Sequence, residues 1–189
     1  MAQPKLDIII AAVIREAGDE FATLFDASEV LEAINRARGT VYTEVLTAMK
    51  DPQVFMDLYP EFNGMEALSI VTNVITKTAA IRRAIKIMYP STNPTHIIEA
   101  VPIEQSLDAM FPAGYSKWKG TATRPVFIES TGSLSIIGIT ITGTVSGIVN
   151  YLKQPVNVSS GGDDIIEPYI WIDMIVAEAV KTLYRMKQG

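Results

Sequence analysis

With 189 residues, 48% of them hydrophobic and 20% charged, the chain is long enough for one domain with a substantial core, or for a domain plus an arm. A net charge of −5 argues against a dedicated nucleic-acid binder, and the lack of cysteine excludes disulfides and thiolate metal sites. No run approaches the roughly 18 consecutive apolar residues of a membrane span, and no basic stretch leads into a cleavable apolar segment, so a soluble, unexported chain is expected. Mean hydropathy is +0.22. The apolar surplus fits burial between subunits or a large core in a monomer, and composition leaves both open.

Pro4 suits the first turn of a helix, where its missing N–H costs nothing. Leu6, Ile9, Ile10, Val13, Ile14 and Ala17 then recur at helical spacing, with Gly18 as the stop. A second helix opens at Asp26, whose partner Glu29 completes an Asp-x-x-Glu capping box. Its apolar face runs Val30, Leu31, Ile34, Val41, Val45 and Met49, and Glu32 with Arg36 forms an i,i+4 pair. Gly39 interrupts this helix, which a close helix–helix contact would explain; Asp51-Pro52 ends it.

Ala67 to Ala80 mixes β-branched residues with helical spacing, and propensity favours strand. Ile81 to Tyr89 reads as a strand ended by Pro90, with Ile97 to Val101 as its partner. Pro102 starts a short helix, Ile103 to Met110, closed by Pro112-Ala-Gly114. Arg124-Pro-Val-Phe-Ile and Ser133-Leu-Ser-Ile-Ile are β-prone runs separated by Thr131-Gly132. A longer run, Gly147 to Pro155, ends in a proline that cannot donate to a sheet ladder. The polar turn Ser159-Ser-Gly-Gly-Asp-Asp164 leads to a terminal helix near Pro168, with Ile172, Ile175, Val176, Ala179, Val180 and Leu183 on its apolar face. Lys181, Arg185 and Lys187 complement the dipole at its end, and Asp163, Asp164 and Glu167 at its start. The expectation is one α+β domain over 1–189, with a helical part (1–60), a β-rich middle of antiparallel hairpins (61–160) and a C-terminal helix (165–187).

Residues that could carry chemistry are sparse. His96 is the only histidine, so no multi-histidine metal site can form, and an exposed structural role is expected. No Gly-x-Ser-x-Gly elbow occurs, and the glycines at 132, 138, 143 and 147 fit strand turns better than a phosphate loop. Asp163 and Asp164 beside two glycines have two readings, a helix cap or a divalent-cation site; the cap is favoured because the spaced ligands of a calcium loop are missing. Tyr115-Ser-Lys-Trp-Lys-Gly120 interleaves basic and aromatic residues, as single-strand binders do, but serves equally as a loop against a neighbouring subunit. Arg82, Arg83 and Lys86 form the other basic cluster, expected on a solvated or inter-subunit strand face. No spaced acidic motif supports a magnesium-dependent nuclease or hydrolase. No enzyme activity and no cofactor is expected.

The order of elements, with Tyr151-x-x-x-Pro155 leaving a β-hairpin and Glu167-Pro-Tyr-Ile-Trp171 opening the last helix, resembles the head-to-tail connector proteins of tailed bacteriophages. These are also called adaptor, neck or ring proteins, and the likeness is to the podovirus-like and crAss-like types. It is best over Arg124 to Tyr184. The resemblance implies a virion protein, assembled in the host cytoplasm, that forms a ring of commonly twelve copies beneath the portal. It would join portal to tail proteins and line a channel through which DNA passes without specific binding. Connectors often carry a portal-docking arm beyond this helix, whereas here the sequence stops at Gly189, which leaves that contact to loops or the helix itself. Subunit or partner contacts are expected at Tyr115, Trp118, Tyr151, Tyr169 and Trp171, and at a Gly143–Gly147 hairpin. The competing class is a monomeric β-rich ligand- or carbohydrate-binding module, with Trp118 and Trp171 as stacking platforms.

Overall fold

Leu6, Ile9 and Val13 recur at helical spacing because they share one core, and each is fully buried along α1 (Leu6–Glu16). This is seen in a computed structural model that describes residues 5–18, 24–90, 95–100, 120–160 and 162–188. The Pro4 helix start and the helix expected over Ile103 to Met110 lie outside the described residues. The architecture is α+β, with helices towards both ends of the chain and a β-rich middle. Contacts divide the chain into two units: Met1–Glu61 together with Pro155–Gly189, and Phe62–Gln154. The helical part and the terminal helix, drawn from sequence as ends of one domain, thus belong to the same unit.

In the helical unit, α2 (Ala27–Met49) begins at the capping box read from sequence. The Asp26 carboxylate accepts the Glu29 N–H at 2.8 Å, and the Asp26 N–H donates back to Glu29 at 2.9 Å. These bonds satisfy donors that the first helical turn leaves without partners. The Ser28 hydroxyl and then the Glu29 N–H hold the Asp26 carboxyl below its usual range. Asp51-Pro52 does end α2, but the same dipeptide starts α3 (Pro52–Leu58), with Asp51 as N-cap and proline in the first turn. The last helix, α4 (Ile172–Gln188), follows a 3-10 turn at Tyr169–Trp171 and buries Ile175, Val176, Ala179 and Leu183. Lys187 in its final turn pairs with Glu29 at 3.0 Å. Gly39 has open space where a Cβ would stand, so no close helix contact accounts for it.

The β-rich unit is a closed seven-strand barrel: β1 (Asn63–Val71), β2 (Val74–Thr76), β3 (Ile81–Tyr89), β4 (His96–Ala100), β5 (Val126–Glu129), β6 (Ser133–Ile137) and β7 (Thr144–Lys153). The order round the barrel is β1-β2-β6-β5-β4-β3-β7, and β7 pairs with β1 to close it. Every pair is antiparallel except β4 with β5. Closure gives each of these strands a hydrogen-bonded neighbour on both sides, although β1 meets β2 only at Ile70 and Val71. Ile70, Ile75, Ile87, Ile98, Phe127, Leu134 and Val149 fill the interior with no exposed surface.

Two local devices set the barrel's register. Thr72 and Asn73 both have positive φ (48° and 67°), the backbone of a two-residue hairpin whose twist suits the flanking strands. The Asn73 amide then donates to the carbonyls of Ile136 and Ile139, and its oxygen accepts the Ile141 N–H at 2.7 Å. One turn residue therefore holds the β6–β7 connection. The expected Gly143–Gly147 hairpin does not form, since β6 pairs with β2 and β5 while β7 pairs with β1 and β3. Gly147 lies inside β7, where a Cβ would come within 2.8 Å of Ile70 Cδ1.

Candidate interaction surfaces

Trp171 faces inward. It is 2% exposed, with its ring 4.9 Å from Tyr59 and 5.9 Å from Phe55, so it is a core residue of the helical unit and no surface anchor. Tyr151 is also buried, inside the barrel against Gly64, where an added Cβ would lie 2.5 Å from its ring. Burial, and then the nearby Glu66 charge, push its phenol above the ordinary tyrosine range. Tyr169 presents its ring to solvent. Tyr115 and Trp118 lie outside the described residues. His96 is half-buried, its ring stacked on Tyr89 at 6.2 Å.

The acidic residues before α4 do not cap it. Asp163 instead closes a turn eight or more residues upstream of the helix. Its carboxylate accepts the Ser159 and Ser160 N–H groups at 2.8 and 3.0 Å and the Ser160 hydroxyl at 2.9 Å. Those bonds, the backbone ones foremost, hold its pKa below the usual carboxylate value. Asp164 bridges to Lys5 through backbone. Glu167 is fully buried and takes a bidentate pair from Arg38, at 2.7 and 2.9 Å. Arg38 also donates to the Val156 carbonyl at 2.9 Å, and Asn35 exchanges two hydrogen bonds with the Val158 backbone at 2.9 and 3.0 Å. Together Asn35, Arg38 and Glu167 clasp the segment after Pro155 onto α2. Among the described residues no three His, Asp or Glu side chains come together to hold a metal ion.

Among the described residues, exposed apolar side chains gather on each unit. In the helical unit Val54 and Leu58 of α3 are exposed, as are Tyr169, Ile170 and Met174 around the start of α4. Ile170 is the most open of these, at 75%. Phe55 and Tyr59, packed on Trp171, tie the two elements together. Asp57 and Asp173 are the exposed acids on the same two elements.

On the barrel, cross-strand register aligns Ala67, Ile148, Met88 and Ile97 in one outward row across β1, β7, β3 and β4. Ile97 is 63% exposed and Met65, in the next row, 59%. That next row continues through Asn150, Lys86 and Glu99. β3 carries two register shifts, between Ile81 and Arg83 and between Ala84 and Lys86. Such bulges re-aim side chains. Here Ile81, Ala84 and Ile87 keep facing the core, while Arg82 and Arg83 are both exposed and Lys86 is half-buried beside the apolar row. The amide oxygen of Asn150 in that row is buried without a hydrogen-bond partner.

The two units also differ in charge. By sequence, Phe62–Gln154 holds eight Lys and Arg against five Asp and Glu, whereas the rest of the chain holds eight against sixteen. A net charge of −5 thus combines a basic barrel with a strongly acidic helical unit. Among the described residues, no helix is long and apolar enough to cross a membrane. A scan against protein-family models finds no match to this chain, and a search of curated proteins finds none either.

Proposed function

We propose that this chain is a structural assembly protein, a subunit of the ring at the head–tail junction of a tailed phage. The observation that carries the reading is the pair of exposed apolar faces, one on the barrel around Met65 and Ile97 and a different one around Ile170 and Leu58. Large exposed apolar patches mark association sites. Two unlike faces on one chain suit heterologous contacts, which close into rings when the rotation between copies allows. The motif resemblance supports the same reading. Glu167-Pro-Tyr-Ile-Trp171 anchors itself through Glu167 and Trp171 while turning Tyr169 and Ile170 outward.

In this role the partners are further copies, commonly twelve, the portal, and tail or other neck proteins. DNA passes through the lumen without specific binding, and the work is done by interfaces with no catalysis and no cofactor. The test mixes the chain with the portal and neck proteins encoded beside its gene, followed by native mass spectrometry and negative-stain imaging. A closed ring stacked on the portal is expected. A chain that stays monomeric with every such protein refutes the reading. The ligand-binding alternative has lost one of its two stacking platforms to the core, since Trp171 is buried.

A further inference from the structure

Resting on the assembly reading above, we propose that neighbouring copies meet with opposite charges. The basic strip of one barrel, around Arg82 and Arg83, seats on the acidic apolar face of the next copy, around Asp57, Ile170 and Asp173. The occupant of the barrel strip is thus a second copy of this chain.

Three observations point there. First, Arg82, Arg83 and Lys86 have no salt-bridge partner among the described residues, although six of the other basic residues do. Two successive register shifts in β3 accompany the outward placement of Arg82 and Arg83, and Lys86 stands next to the apolar row. Second, the other exposed face has the matching composition: Asp173 sits between the exposed Ile170 and Met174 in sequence, Asp57 is exposed on α3, which packs on Trp171 through Phe55, and both acids likewise lack a cationic partner among the described residues. Third, the excess of acids over bases lies entirely outside the barrel sequence, so the charge complement of the strip is a helical unit, which in the proposed contact is that of the next copy. Complementary potentials fix register and steer encounter, while apolar area holds the contact. Duplex DNA is the other polyanion available to the strip, but a chain at −5 repels it overall.

The experiment uses the full chain and reads its self-association by sedimentation velocity. Arg82→Glu/Arg83→Glu and Asp57→Lys/Asp173→Lys are each expected to weaken association on the order of a hundredfold, because each places like charges face to face. All four positions are exposed, and circular dichroism checks that each variant is folded. An equimolar mixture of the two variants restores assembly, because the reversed faces complement each other. Raising salt from about 0.1 M to about 1 M, which contracts the Debye length from roughly 10 to roughly 3 Å, weakens the wild-type chain about tenfold or more and tests the contact without any substitution. Assembly indifferent to salt and to both variants overturns the contact while leaving the ring reading standing. So does an Arg82→Glu/Arg83→Glu chain that assembles normally but loses affinity for duplex DNA, which assigns the strip to phosphate. A wild-type chain that never associates, alone or with neck proteins, overturns both.

Discussion

Replacing Glu167 by alanine tests whether the buried clasp holds the helical unit together. The guanidinium of Arg38 is 3% exposed, and in the variant it keeps the Val156 carbonyl and the longer Asn35 contact at 3.4 Å but loses both carboxylate bonds. Breaking a buried pair from one side costs about 3–5 kcal/mol. That is about a hundredfold to a few thousandfold in the folding equilibrium, from a total stability of about 5–15 kcal/mol for a typical domain. Removing both charges with Arg38→Met/Glu167→Leu is expected to return most of the loss, because desolvating two ions offsets much of their attraction. The assay is urea unfolding followed by Trp171 fluorescence in a Trp118→Phe background, so that the buried indole reports its own unit. A Glu167→Ala cost below about 1 kcal/mol would match an exposed pair and refute the reasoning. A double variant as damaged as the single one would refute it too.

Gly39→Ala stabilises α2 by about 0.5–1 kcal/mol, read from thermal unfolding, because its Cβ meets nothing and glycine is a poor helix former. Asn73→Gly tolerates the positive φ but loses three side-chain hydrogen bonds, costing about 2 kcal/mol in barrel stability by urea titration. Asn73→Ala adds about 1–2 kcal/mol of left-handed strain to that loss. Tyr151 has a folded pKa raised above its unfolded value of about 10. Its contribution to stability is therefore intact below that value and is lost as pH rises through the raised one. An ultraviolet absorbance titration should show a late-ionising step that a Tyr151→Phe chain loses.

The parts legible in the sequence are those that neighbours along the chain decide. The Asp26–Glu29 box, the apolar stripes of α1, α2 and α4, and the β-branched runs of β3, β5, β6 and β7 express periodicity and capping over a few residues. Even there Asp51-Pro52 reads only as a stop, whereas the residues that end one helix also start the next. The tertiary structure alone decided what depends on distant partners. Glu167 reads as a dipole-complementing acid until Arg38, 129 residues away, buries it. Trp171 reads as a surface aromatic until Phe55 and Tyr59 close over it. Barrel closure needs β1 against β7, and the apolar row from Ala67 to Ile97 exists only in that register. Hydrophobic burial is non-directional, so a sequence states which residues want cover, while the fold chooses what covers them.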